Sequence, residues 1–382
     1  MSNRLTPTHC LAIALTALLL LPTSGRAAAP RHTVLSIQGD GFLINGQLTF
    51  AGRTWQGHRL EGLLPNARLV QGTFDDLNPA TRGQWAYPDT GTWDPERNTR
   101  EFVAAMPAWR EHGLLAFTLN LQGGSPLGYG NKGWINTAFL EDGSLRPEYF
   151  ARLERILDRA DELGMVPIVG LFYFGQDQTL RDEAAVVRAT DLTLAWLRDR
   201  GYRNLIIEVC NETTERGYHH EILRPAGVTA LLERVRRFDR GDGHFPVGVS
   251  MSGSQLPTPG IVAASDVILV HGNNSRDVPT TPARIREMVA GVRGLPGWRE
   301  MPIVFNEDDH YDFDQADNNF IAATQSRASW GFFDFRRPGE SFPNGFQSVP
   351  VDWAISSPRK QAFFELVRKL FISETAPAAY GK

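Results

Sequence analysis

Two segments of the sequence end alike. "IIEVCNE" (206–212) and "PIVFNED" (302–308) are apolar runs that reach Asn-Glu at their far ends, as Asn211-Glu212 and Asn306-Glu307. Burying a carboxylate without a partner costs several kcal/mol or forces its pKa upward, so an acid in that position needs a reason. A facing pair supplies one. One carboxylic acid can protonate a leaving oxygen while the other carboxylate attacks, or activates water, and cleavage of a glycosidic bond needs both. Both can be Glu if their surroundings push the two pKa values apart. A third acid, Glu208, shares strand parity with Glu212. It is expected to point into the fold as a structural acid held by buried hydrogen bonds or an ion pair.

The two segments must be brought together by the elements that carry them. Strand patterns are expected at 49–55, 114–122, 165–175, 204–212, 246–252, 267–273, 302–308 and 329–335. Helix patterns fall between them at 95–112, 146–164, 182–200, 228–239, 259–264, 282–292 and 318–327, with a last one at 358–372. Asp94-Pro95 is a good N-cap followed by a good first helical residue, and Gly164 a good stop. Such alternation means a parallel sheet with helical crossovers, and near-continuous apolar strands mean burial on both faces. Eight repeats predict an α/β fold, a single (β/α)8 TIM barrel. A doubly wound open sheet is the alternative, but no Gly-rich phosphate loop follows the first strand. "INGQ" (44–47) marks a tight N-terminal hairpin. Two long connections, 56–93 and 123–145, carry Trp85, Tyr87, Trp93, Tyr129 and Trp134; loops of that length are usually functional or disordered.

In a barrel the site lies at the C-terminal ends of the strands. Those ends hold Asn120 and Gln122, Tyr173 and Gln176, Asn211 and Glu212, His271 and Asn273, and Asn306 through Asp309, with Trp330 and Asp334 on the last strand. Acids among amides, an imidazole and aromatic rings make up the inventory of a carbohydrate site. Strands four and seven lie on opposite sides of such a barrel, so Glu212 and Glu307 can face each other. Parity lets only one of Glu307 and Asp308 face inward. Blander readings stand beside these: surface carboxylates for the glutamates, plain core for Trp330 and a satisfied core histidine for His271. Cys210 reads as an inert buried thiol.

The net charge of −4 and the lack of a basic run speak against nucleic acid. Residues 1–27 read as a secretory signal: Arg4, an apolar run from Leu11 to Leu21, then small residues before a cut after Ala27. The mature chain, 31–382, then carries Cys210 as its single cysteine and forms no internal disulfide, as suits a bacterial periplasmic or secreted protein. No membrane association is expected once the signal is removed, and the chain is expected to be a monomer. "DFDQAD" (312–317) lacks the Gly and terminal Glu of a calcium loop. No metal and no cofactor are expected.

The motifs resemble glycoside hydrolase clan A, and most of all its cellulase-type family 5. "GDGFLINGQLTFAGRTW" (39–55) is similar to the N-terminal segment of those enzymes, "IIEVCNE" to their fourth strand, "PIVFNED" to their seventh and "SWGFFDF" (329–335) to their eighth. The resemblance implies a hairpin closing the bottom of the barrel and retaining hydrolysis of a β-linked oligo- or polysaccharide. It implies Glu212 as acid/base and Glu307 as nucleophile. Asn211 would bond the sugar 2-hydroxyl, His271 would line the floor, and Trp330 would form a platform under the reacting sugar. Tyr173, Asn120, Asn306 and Trp134 complete the expected substrate contacts, with Trp85 and Trp93 as further stacking candidates. The arginine implied beside the nucleophile has Arg53, on the first expected strand, as its candidate. Thr213 stands where a Pro often follows the fourth-strand Glu, and "EDDH" (307–310) is unusually acidic. A non-catalytic glycan-binding barrel and a transglycosylase using the same residues are the competing functions.

Overall fold

The computed structural model describes residues 31–129, 133–274 and 279–373. The expected export signal, 1–27, lies outside them. Eight barrel strands follow in order: β1 (Asn66–Arg68), β2 (Ala116–Asn120), β3 (Val166–Tyr173), β4 (Ile206–Asn211), β5 (Val247–Gly248), β6 (Ile268–His271), β7 (Ile303–Glu307) and β8 (Gly331–Phe332). The helices are α1 (Pro95–Glu111), α2 (Pro147–Leu163), α3 (Glu183–Asp199), α4 (Val228–Arg237), α5 (Pro259–Ala264), α6 (Pro282–Arg293), α7 (Asn319–Gln325) and α8 (Pro358–Phe371). Strands β5-β4-β3-β2-β1-β8 form one sheet, and β6 pairs with β7. The amide of Val267 donates to Val247 O at 3.2 Å, joining β5 to β6. Parallel bridges Val304–Ser329 and Asp308–Phe332 join β7 to β8. The ring closes as a (β/α)8 barrel. No helix among the described residues is long and apolar enough to cross a membrane.

Local chemistry sets the helix ends. Asp94 accepts from Arg97 N at 2.9 Å and Pro95 opens α1; Ser357 and Pro358 open α8 in the same way. At the far end of α2, Gly164 takes φ +66°, the left-handed stop that glycine adopts freely.

The barrel has two packing layers. Between strands and helices lies the main apolar core. Inside the ring, Leu64, Ala116, Val166, Ile168, Ile206, Leu269 and Val304 form a smaller cluster at the N-terminal ends of the strands. Leu35 and Phe42 plug that cluster from an antiparallel hairpin, Leu35–Gln38 with Gly41–Ile44. Higher up the interior turns polar: Asn66, Arg68, Thr118, Asn120, Glu208 and Asn306 are all buried.

The first expected strand is corrected. Residues 49–55 form no part of the barrel; Thr54–Trp55 pairs with His58–Arg59 in a small antiparallel ribbon. Arg53 donates to Leu370 O and Lys369 O, the free carbonyls where α8 ends, far from the strand ends that carry a site. Strand β1 instead lies within 56–93, which the sequence presents as a loop.

Phe42 is fully buried at the barrel floor. Phe42→Ala is expected to lower unfolding free energy by about 3–5 kcal/mol, read from denaturant melts, because no neighbouring element can refill the plug.

Candidate active site

Glu212 ends β4 through a break in the strand. Its φ is +53°, a left-handed value uncommon outside glycine. Regular alternation would turn Asn211 and Glu212 to opposite faces; with this break both serve the mouth of the barrel. Ser250 Oγ accepts from the Glu212 amide at 3.0 Å and holds the turn. A comparable irregularity works on the opposite wall. The register between β6 and β7 shifts at Val270/His271, so that His271 stands opposite Glu307.

These two adjustments bring three groups together. One carboxylate oxygen of Glu212, one of Glu307 and a ring nitrogen of His271 all lie within 4.8 Å of one another. His271 Nδ1 is 3.0 Å from Glu212 Oε1 and 3.7 Å from Glu307 Oε2. The surroundings of the two acids differ. Glu307 Oε2 pairs with Arg68 Nε at 2.7 Å, and Oε1 accepts from Asn273 Nδ2 at 2.5 Å. Glu212 has no guanidinium; burial pushes its carboxyl above the ordinary range, His271 works against that, and the charge of Glu307 adds to the rise. Burial alone would lower the pKa of His271, but the carboxylates of Glu307 and Glu212 outweigh it and the net direction is upward.

Arg68 is the residue that sequence reasoning missed. It is 1 % exposed on β1, pairs with Glu307, and its Nη2 donates to Asn211 Oδ1 at 3.0 Å. That bond orients the Asn211 amide and leaves its NH2 as the group free to donate. The signal was an Arg within the apolar run "LLPNARLV" (63–70), but a three-residue strand shows too little alternation to be read as one.

The remaining expected contacts separate into two groups. Tyr173 belongs with the acids: its hydroxyl is 2.7 Å from Ser125 Oγ, and burial pushes its phenol well up, with Arg68, Glu307 and Glu212 all close enough to act on it. Asn120 and Asn306 sit inside the barrel in the buried polar layer. Asn306 donates to Glu208 Oε1 at 3.2 Å, so Glu208 is a structural acid within the ring. Trp330 does not join the site. Its ring stacks on Phe320 at 5.0 Å and its Nε1 donates to Asp308 Oδ2 at 2.8 Å, in the layer between barrel and helices. A fully buried ring offers no platform. Asp308 turns the same way, taken up by Trp330, Asn319 and His310. Trp134 and Trp85 are likewise buried; both rings pack around Phe74 in a core belonging to the long loops. Trp93 is half-buried against Tyr87.

Two clusters have the donors for a metal ion, Glu212-His271-Glu307 and Asp308-Asp309-His310. In the first, a cation would sit against Arg68, which already neutralises Glu307. In the second, Asp308 has both oxygens engaged. Neither arrangement favours a cation over the contacts present.

Solved structures share the fold. A candidate glycoside hydrolase from Bacteroides vulgatus aligns at 10% identity and TM-score 0.56, over 88% of this chain and 61% of its own. A β-mannanase from the blue mussel Mytilus edulis aligns at 12% and 0.52, over 88% and 96%. A family 5 glycoside hydrolase from Bacteroides vulgatus aligns at 13% and 0.52, over 83% and 70%. The chain thus spans about three fifths of the first of these. At such identities the likeness is one of fold, a (β/α)8 barrel. No family model and no curated protein matches the sequence.

Removing one partner of a buried ion pair leaves a charge uncompensated and typically costs about 3–5 kcal/mol. Arg68→Met is expected to lose that much stability in denaturant melts, and Arg68→Met with Glu307→Gln to lose less than the two single changes summed. Strict additivity would mean that the pair is not coupled.

Proposed function

We propose that this protein is an exported, retaining glycoside hydrolase acting on a β-linked oligo- or polysaccharide. Glu212 serves as acid/base and Glu307 as nucleophile. The observation that carries the reading is the pair of glutamate oxygens within 4.8 Å of each other across the mouth of the barrel. Carboxyls about 5–5.5 Å apart accompany retention, whereas inversion needs about 6.5–9.5 Å to admit a water between them. A glycan-binding barrel has no need of that spacing.

The surroundings assign the roles. Glu307 has a guanidinium on one oxygen and an amide on the other, as befits an anion that must attack. Glu212 is the acid whose proton is held above the ordinary range, as a general acid requires. In the first step a Glu307 oxygen bonds to the anomeric carbon and the glycosidic C–O bond breaks. Its electron pair goes to the leaving oxygen, which takes the proton of Glu212. In the second step a water oxygen attacks the same carbon, Glu212 takes the water proton, and Glu307 leaves as carboxylate. Two displacements restore the configuration. Asn211 donates to the sugar hydroxyl next to the reacting carbon, and His271 meets the charge on Glu212 between the steps. Export rests on the leader-like segment 1–27.

Glu307→Gln is expected to abolish turnover of every substrate while far-UV circular dichroism stays that of the parent. Glu212→Gln should slow glycosides with poor leaving groups by about 10²–10⁴-fold. The acid works only while protonated, so kcat/KM should fall as pH rises through a Glu212 pKa above the ordinary value of about 4.3. That alkaline limb should vanish in Glu212→Gln; a limb that persists assigns it to another group.

A further inference from the structure

The run Glu307-Asp308-Asp309-His310 holds more charge than a nucleophile needs. Asp308 is fully buried, and its two oxygens reach one neighbouring loop, the connection from β6 to α6, by two routes. Along the first, Asp308 Oδ1 accepts from His310 Nδ1 at 2.5 Å, and His310 Nε2 stands 3.2 Å from Asn274 Oδ1. Along the second, Asn319 Nδ2 donates to Asp308 Oδ2 at 3.0 Å and to Thr280 O at 3.4 Å. Thr280 joins the routes: its amide donates to Asn274 Oδ1 at 2.7 Å and its hydroxyl to Asn273 O at 3.0 Å. Asn273 in turn donates to Glu307 Oε1 at 2.5 Å. The contacts close a ring that starts at Asp308 and returns to the residue beside it.

The ring leaves little choice of protonation. A backbone amide always donates, so the atom of Asn274 that faces Thr280 N is its oxygen. His310 Nε2 faces the same oxygen and carries a hydrogen to give it. Nδ1 faces a carboxylate oxygen that also accepts from the His310 amide at 3.1 Å, so it carries a hydrogen as well. His310 is therefore an imidazolium, with Asp309 Oδ1 3.7 Å from its Nδ1. Burial alone would lower its pKa, but the hydrogen bond and charge of Asp308, with the charges of Asp309 and Asp312, outweigh it and the net direction is upward. Charge-assisted hydrogen bonds of this kind are about twice as strong as neutral ones.

The loop lies directly on the carboxylate that anchors it. Gly272 N donates to Glu307 O at 2.7 Å, and a Cβ on Gly272 would stand 2.4 Å from Asp308 Oδ2. Asn273 and Thr280 are both buried, whereas His310 keeps 21 % of its side chain exposed.

We infer that Asp308 and His310 are positioning residues for Glu307: the imidazolium, anchored on Asp308, clamps Asn274 and thereby holds the Asn273 amide on the nucleophile. The inference rests on the role given above to Glu307. It is tested on a panel of aryl glycosides with His310→Ala, Asn273→Ala and the double variant. Each single change should lower kcat by up to about 10²-fold, the cost of a slightly misplaced reacting group, while KM moves little. The double variant should be no slower than Asn273→Ala, since His310 acts through Asn273. Losses that multiply, or an unchanged kcat in His310→Ala, overturn the clamp and leave the two-glutamate reading standing. Wild-type protein that turns over no glycoside overturns both. Two conservative changes separate the clamp from plain support of Asp308. The side-chain amide of Gln reaches the place of Nε2, and that of Asn the place of Nδ1. His310→Gln should therefore regain most of the rate lost in His310→Ala, and His310→Asn should not. The opposite order would make His310 a support for Asp308 alone and overturn the inference. His310 is partly exposed, so these variants are expected to keep the far-UV circular dichroism of the parent.

Discussion

The buried ion pair between Arg68 and Glu307 is the contact around which the rest of the site is arranged. A guanidinium 1 % exposed on β1 and a carboxylate at the end of β7 meet at 2.7 Å. In an apolar interior each alone would carry a desolvation cost of several kcal/mol. Neither strand can move without the other, and β8, which lies between them, is held in register. The same guanidinium fixes the amide of Asn211 and so orients the chain just before Glu212. One arginine therefore relates both glutamates to each other. Asn273, two residues past the end of β6, donates to the second oxygen of Glu307, and His271 stands between the two acids.

Below that pair the barrel interior is unusually polar. Glu208, Asn120, Asn306 and Asn66 are buried within the ring where bulky apolar side chains ordinarily pack. Gly170 on β3 and Gly331 on β8 leave the amides their space: a Cβ on either would fall within 2.4 Å of an Asn oxygen. The apolar plug formed by Leu35 and Phe42 seals this layer from beneath. A stiff apolar floor, a polar middle and a charged mouth thus follow one another up the barrel axis.

Much of this was legible in the sequence. The helices fall within a residue or two of their expected ends, because capping residues and helical periodicity are local signals that packing does not overrule. The positions of Glu212 and Glu307 at opposing strand ends follow from the strand count alone. What escaped has physical reasons. Strand β1 has three residues, so its alternation is invisible, and Arg68 was lost with it. Residues 49–55 carry a strand-like composition, yet only Thr54–Trp55 pairs, in a two-residue ribbon outside the ring. Parity correctly turned Glu208 inward, but it cannot foresee a positive φ at Glu212, which depends on contacts from β5. Trp330 carried the composition of a sugar platform, yet its register aims it at α7, and aromatic residues serve cores and sites equally well.

The central claim is that Glu307, and not Glu212 or Asp308, forms a covalent bond with the sugar. It is tested most directly by incubating the wild-type protein with a 2-deoxy-2-fluoro glycoside bearing a good leaving group, then mapping the labelled peptide by mass spectrometry. Fluorine slows release of the glycosyl group, and a nucleophile with both oxygens already oriented should be trapped in full. The predicted result is one sugar per chain, attached at Glu307. A label on Glu212 or Asp308, or rapid turnover of other aryl glycosides without any label, would contradict the account.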